Sequence, residues 1–203
     1  MGEPDFHTPN SIKAAGINAI EENRTRYTLN QGTNELRTAI SAKLKRDNNL
    51  DYNLNEIIVS NGAKQSVYNS ILATVNPGDE VIIPEPAYPA YALLAKASRS
   101  VAVHVSCASK NSWKLDLEKI KAATTDKTKF IIFSNPINPL GIIVPPETLK
   151  ELLAWCESKG IYLIIDEAYR DYVFEGPYTS ALSFINDSEF LISANSFSKN
   201  MAM

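Results

Sequence analysis

Five short stretches carry side chains with a chemical use. They are Asn61-Gly-Ala63-Lys64, Tyr88 within Pro86-Ala-Tyr-Pro-Ala-Tyr91, Asn135-Pro-Ile-Asn138-Pro-Leu-Gly141, Asp166-Glu-Ala-Tyr169 and Ser196-Phe-Ser198-Lys199. Each has an ordinary reading when taken alone. Asn61-Gly-Ala-Lys is a strand-to-helix turn, though the free amides at a helix start attract phosphate. Asp166 is a helix cap or surface turn, or else an anion held for a cationic nitrogen, because a carboxylate closing an apolar run is costly to bury unpaired. Glu167, across the pleat, reads as a structural partner. The two prolines and the glycine around Asn138 make a stiff turn that could aim its amide at a ligand oxygen. Tyr88 is one more half-buried aromatic, or a lid on a flat ring. Lys199 is by default a solvated cation. A shielded lysine, however, gives up its proton readily and attacks carbonyls.

Together the groups suit one cofactor. A lysine condenses with an aldehyde, and an aspartate keeps a pyridine nitrogen protonated. A helix start with serines holds a phosphate, an aromatic covers a ring, and Asn with Tyr serves a phenolic oxygen. Pyridoxal 5'-phosphate has all of these features. The absence of a Walker A loop and of Gly-x-Gly-x-x-Gly argues against ATP and NAD.

The elements that must position these groups follow from periodicity. Apolar runs at 57–60, 81–84, 101–105, 130–133, 161–165 and 190–193 are short, nearly continuous and rich in Ile and Val, as expected of strands buried on both faces of a sheet. Helical patterns lie between them at 64–75, 88–97, 116–123 and 146–159. The last has proline at its start and Gly160 at its stop. Repeated strand–helix–strand units predict an α/β fold, a mostly parallel sheet with helices on both faces and right-handed crossovers. Ligands of such sheets bind beyond the carboxyl ends of the strands. The first fifty residues read as two helices, 8–22 and 34–46, around an ordered loop, Arg26-Tyr27-Thr-Leu-Asn-Gln-Gly32. The expected organisation is a helical segment at 1–50 belonging to the same domain as the cofactor-binding region at 51–203.

Composition narrows the function classes. The chain has 203 residues, 44% hydrophobic and 21% charged, enough to bury a core. Its formal net charge of −3 and the lack of a basic stripe argue against nucleic acid. Two distant cysteines, Cys107 and Cys156, read as free intracellular thiols. With two distant histidines as well, no zinc site is expected. No apolar stretch is long enough for a membrane span, and the N-terminus lacks a signal peptide's hydrophobic region, so a cytoplasmic location is the default.

From Gly2-Glu-Pro-Asp-Phe6 to Met203 the chain resembles the class I/II aminotransferases, the aspartate-aminotransferase-like enzymes that use pyridoxal phosphate. The resemblance rests on the five stretches above and on Tyr27, in family order and at plausible spacing. It implies that Lys199 holds the cofactor as an internal aldimine and later moves a proton at the substrate Cα. Asp166 would pair with the ring nitrogen, Asn138 and Tyr169 would bind the ring oxygen, and Tyr88 would stack on the ring. Ala63, Lys64, Ser196 and Ser198 would surround the phosphate. Tyr27 would reach the phosphate of a neighbouring subunit, which implies a homodimer. Gly2 would lie near the substrate carboxylate, as would Asn138. The implied activity is amino-group transfer from an amino acid to a 2-oxo acid. β-Lyases and other enzymes of this fold share the motifs, and a non-catalytic, dimerising remnant is a third reading. Leu140 and Ile137 depart from the family pattern, where threonine and asparagine are usual.

The resemblance also implies a fragment. Relatives have an N-terminal arm before Gly2. After the lysine they continue with a phosphate-binding arginine, an antiparallel strand of the large-domain sheet, and a small domain whose arginine grips the substrate carboxylate. Without that strand, 57–60 and 190–193 are expected to expose unpaired edges. The chain alone is then weakly stable, closes the gap unnaturally, or needs a complementing segment.

Overall fold

The computed structural model describes residues 2–107, 113–184 and 188–203. Two helices open the chain, α1 (Asn10–Glu21) and α2 (Asn34–Asn48), followed by α3 (Ala63–Thr74). Strands and helices then alternate: β1 (Glu80–Glu85), α4 (Ala90–Ala97), β2 (Val101–Ser106), α5 (Leu117–Ala122), β3 (Thr128–Ser134), α6 (Pro146–Lys159) and β4 (Tyr162–Asp166). The last strand is β5 (Leu191–Ala194). The five strands form one parallel sheet in the order β2-β1-β3-β4-β5.

Alternation along the strands builds two apolar layers, as the period-two pleat requires. Ile82, Ile131, Phe133, Leu163 and Ile165 face one side and meet Ile120 of α5 with Leu149, Leu152 and Cys156 of α6. Val81, Ile83, Phe130, Ile132 and Ile164 face the other and meet Val67 and Ile71 of α3 with Tyr91 and Ala95 of α4. The strands are therefore apolar on both faces, and the expected helix–sheet–helix layering holds. Fully burying one such side chain contributes roughly 1.5–3 kcal/mol. Local chemistry sets the helix ends. Pro146 opens α6, and Gly160, at φ 65°, closes it in a left-handed C-cap. Thr33 caps α2 by accepting from the amide of Leu36, and Asp116 caps α5 by accepting from Lys119.

The first apolar run departs from expectation. Residues 57–60 form no strand. Ile57 is buried but Ile58 is exposed, and the Val59 amide donates to the Gln31 carbonyl, 3.0 Å away, in the Tyr27 loop. A β-strand exists only through a neighbour's backbone, and this run has no ladder in the sheet. Composition alone therefore does not make it a strand. At the sheet margin, β5 pairs with β4 and carries no strand ladder on its outer side among the described residues. That is the exposed edge expected of 190–193. The edge expected of 57–60 does not arise, because those residues are not extended into the sheet.

Candidate active site

The sheet register brings the starts of three of the predicted stretches to one edge. Ser134 at the end of β3 is opposite Asp166 at the end of β4, and Asp166 is opposite Ala194 at the end of β5. Three carboxyl-terminal strand ends thus lie side by side, and each runs into one of the chemical stretches. After β3, the Asn135 amide donates to the Asp166 carbonyl at 2.9 Å. The Asn138 amide then donates to the Ser134 hydroxyl at 2.8 Å. This folds the stiff turn back over the end of its own strand, with Asn138 half-buried.

Asp166 is buried, with 8% of its surface exposed. Burial pushes its pKa up. The Ala168 amide, the Tyr91 phenol and the Lys199 charge pull it back without cancelling the shift. The Tyr91 hydroxyl donates to Oδ2 at 2.9 Å and the Ala168 amide to Oδ1 at 3.1 Å. Hydrogen bonds to a charged group contribute about 1.5–3 kcal/mol each. Two such bonds keep the carboxylate oriented, yet desolvation still wins. Loss of water around this buried carboxylate is therefore the largest single influence on its proton affinity. The Tyr91 phenol is itself held well above its ordinary range, first by burial and then by the adjacent Asp166 charge.

Lys199 approaches from the stretch after β5. Its Nζ donates to the Gly2 carbonyl and stands 5.6 Å from the centroid of the Tyr169 ring. A Cβ on Gly2 would lie 2.9 Å from the Tyr169 hydroxyl and 3.6 Å from the Lys199 Nζ. Gly2, Tyr169 and Lys199 therefore form one cluster, coupled electrostatically to Asp166. Glu167 points away from it, as the pleat requires. It is fully buried and accepts from the Ser180 hydroxyl at 2.9 and 2.8 Å and from the Ala181 amide at 2.9 Å. The Ser193 hydroxyl donates to it as well, at 3.3 Å. It ties β4 to β5 and serves structure, matching its sequence reading.

Tyr88 is half-buried and meets Tyr91 edge-on, with centroids 5.5 Å apart at 87°. It is thus one ring removed from Asp166. Gly62 starts α3 at φ 81° with no side-chain cap. Its carbonyl accepts from Gln65 and Ser66, so the amides of Ala63 and Lys64 precede the first intrahelical bond. α3 leads back to the start of β1, so this uncapped end lies toward the carboxyl edge of the sheet. Ser198 donates its amide to the Ser196 hydroxyl at 3.1 Å in a tight turn. These four residues are not in contact with Lys199 or Asp166 through any hydrogen bond given by the structure. Tyr27 is fully exposed and meets none of the other site groups.

Sequence reasoning overlooked Tyr91, Ser134 and Tyr172. Tyr91 ends the Pro86-Ala-Tyr-Pro-Ala-Tyr91 stretch, three residues after Tyr88 and hence on the opening turn of α4. That spacing was the available signal. Tyr172 follows Tyr169 by three residues and donates to the Lys199 carbonyl at 2.7 Å. Nothing local marks that contact.

The described residues contain no helix long and apolar enough to cross a membrane and no cluster of potential metal ligands. An open cleft of about 390 Å³ lies apart from the predicted groups, lined by Cys107, Lys114, Asp116, Glu118, Thr148 and Glu151 among others. None of the predicted site residues lines it. The cleft offers neither an amine near a buried carboxylate nor an aromatic cover.

The family model for aminotransferase class I and II matches residues 1–203. A bifunctional aspartate aminotransferase and glutamate/aspartate-prephenate aminotransferase of Petunia hybrida is 39% identical over all of this chain and 43% of its own length. A probable aspartate aminotransferase of Methanocaldococcus jannaschii is 37% identical over all of this chain and 53% of its own. Among solved structures, an aspartate aminotransferase from Thermus thermophilus with maleate superposes with a TM-score of 0.94 at 33% identity, covering all of this chain and 53% of that one. An aromatic aminotransferase from Pyrococcus horikoshii gives 0.93 at 32%, covering all of this chain and 55% of that one. The chain spans about half the length of the relatives it matches. A buried carboxylate and a lysine at adjacent strand ends of a doubly covered parallel sheet fit these likenesses, and the chain belongs to the class I and II aminotransferases.

Proposed function

We propose that this site binds pyridoxal 5'-phosphate and that the protein transfers an amino group from an amino acid to a 2-oxo acid. The observation that carries the reading is that the Lys199 charge acts on the buried Asp166 carboxylate. The amine and the buried carboxylate leave neighbouring strand ends and are close enough for one charge to act on the other. The residues present fit the group. Asp166 is buried and held by two hydrogen bonds, α3 has an uncapped start that would suit a phosphate, and Tyr88, packed on the Tyr91 that bonds Asp166, would serve as a ring cover.

When bound, the cofactor supplies an electron sink for negative charge at the substrate Cα. Asp166 would hold a proton on the ring nitrogen. Asn138 and Tyr169 would hold the ring oxygen, and Ala63, Lys64, Ser196 and Ser198 the phosphate. Lys199 would anchor the aldehyde and, once released, would hold or move the proton at Cα as a general base. Gly2, beside Tyr169 and Lys199, would lie near the substrate carboxylate, with Asn138 as a second contact. Tyr27, fully exposed on its own chain, would reach a neighbouring subunit in a homodimer.

The test is spectral and covalent. The chain with added pyridoxal phosphate should develop a long-wavelength absorbance and, after borohydride reduction, carry a phosphopyridoxyl group on Lys199. Lys199→Ala should lose both. Retention of the full absorbance in that variant overturns the assignment. A screen of amino donors against 2-oxo acids then tests turnover, beginning with aspartate, for which several relatives are named.

A further inference from the structure

Lys199 lies in a stretch with few restraints of its own. Beyond β5 the chain turns at Ser196–Met201. Asn195, Phe197 and Met203 are exposed, and the Met201 amide bonds only back to the Phe197 carbonyl at 3.2 Å. What holds this stretch comes from elsewhere. The 3-10 turn Arg170–Tyr172 follows Tyr169 directly. From it the Tyr172 phenol donates to the Lys199 carbonyl at 2.7 Å, and the Asp171 carboxylate accepts from the side-chain amide of Asn200. Two consecutive side chains thus grip two consecutive residues.

The same turn also presents Tyr169. The Tyr172 amide donates to the Tyr169 carbonyl at 2.9 Å, and the two rings meet edge-on, 6.1 Å apart at 72°. The root of the turn is anchored, since the Arg170 amide donates to the carbonyl of the fully buried Glu167 at 3.0 Å. The aromatic ring near the amine and the main chain from which the amine hangs therefore belong to one rigid unit.

We propose that Asp171 and Tyr172 form a clasp that positions Lys199 through its main chain, with Tyr172 as a positioning residue for the amine. The inference rests on the cofactor reading above. A lysine has a flexible four-carbon stem, and its amine finds a target only if the Cα is held. With the carbonyl pinned, the amine moves by side-chain torsions alone. It can swing between the Gly2 carbonyl and the reacting atoms without carrying the stretch with it. An ammonium hydrogen-bonded to Gly2 is also kept from wandering into solvent.

The experiment is reductive labelling of the full 203-residue chain with limiting pyridoxal phosphate and borohydride, read by peptide mass spectrometry. Wild type should label Lys199 in preference to the other lysines, and Lys199→Ala should carry no label there. Tyr172→Phe removes one hydroxyl and should lower the Lys199 label about three- to tenfold, in keeping with the net worth of one hydrogen bond. Far-ultraviolet circular dichroism should remain that of wild type. The pH midpoint of the bound cofactor's absorbance should also move, which a loss of overall stability would not cause. If Tyr172→Phe fails to fold, Asp171→Ala, at an exposed position, removes the other half of the clasp and should act in the same direction. Equal Lys199 labelling and an unmoved midpoint in the variant overturn the clasp while leaving the cofactor reading intact. Indiscriminate labelling of wild-type lysines overturns the cofactor reading and the clasp with it.

Discussion

The Tyr91 phenol donates to the Asp166 carboxylate at 2.9 Å across 75 residues of sequence. It thereby joins the first turn of α4 to the end of β4. This bond favours the charged carboxylate against the desolvation that disfavours it. Tyr91→Phe should therefore raise the Asp166 pKa further. It should weaken pyridoxal phosphate binding about three- to tenfold and cost about 1–2 kcal/mol of stability. Cofactor titration and urea unfolding measure the two effects. Unchanged affinity would show that the bond does not tune the carboxylate.

Asp166 also makes stability depend on pH, with a definite sign. Burial lifts its folded-state pKa above the ordinary 3.8. The folded chain therefore binds this proton more tightly than the unfolded chain. The cost of ionising the buried group is absent below about 3.8, grows as pH rises from there through the folded-state pKa, and is constant above it. In Asp166→Asn, which never ionises, the urea midpoint relative to wild type should climb over that interval and then level off. The same variant should bind the cofactor more weakly, since its side chain no longer holds a charge for the ring nitrogen. A relative midpoint that falls with rising pH would refute the sign.

A Cβ added at Gly2 would overlap the Tyr169 hydroxyl, at 2.9 Å, and touch the Lys199 amine, at 3.6 Å. Gly2→Ala should lower reductive labelling of Lys199 several-fold by pushing the phenol aside. Because Gly2 is exposed, global stability should change by less than about 0.5 kcal/mol. Labelling equal to wild type would place the amine's target away from Gly2.

Gly32 supports the Tyr27 loop. At φ 96° it adopts a conformation that other residues rarely take, and an added Cβ would lie 2.7 Å from the Val59 Cβ. Gly32→Ala should cost about 1–3 kcal/mol, combining backbone strain with this overlap. It should also displace the loop that presents Tyr27. Sedimentation would then show weaker self-association if Tyr27 reaches a second copy. A urea midpoint equal to wild type would mean that the loop yields without cost.

How far the sequence could be read varies by element. The five sheet strands and six α-helices among the described residues follow from hydrophobic period and from end signals such as Pro146 and Gly160, which act within a few residues. Asp166 and Lys199 were legible because one ends an apolar run and the other follows shortly after the end of another, and in a parallel sheet every such end opens on one edge. Residues 57–60 misled for the complementary reason. Their composition suits a strand, but strand formation is decided by a partner backbone.

The contacts among the site residues are of another kind. Tyr91 to Asp166, Tyr172 to Lys199 and Lys199 to Gly2 join residues 75, 27 and 197 positions apart. Their formation depends on strand order, register and the path of each turn. By itself the sequence determined the local elements, the doubly covered parallel sheet and which amine and carboxylate are proposed to do the chemistry, because periodicity and residue chemistry are written along the chain. Only the tertiary structure decided which side chains hold those two groups in place, because hydrogen bonds between distant residues exist only once packing has brought their atoms within about 3 Å.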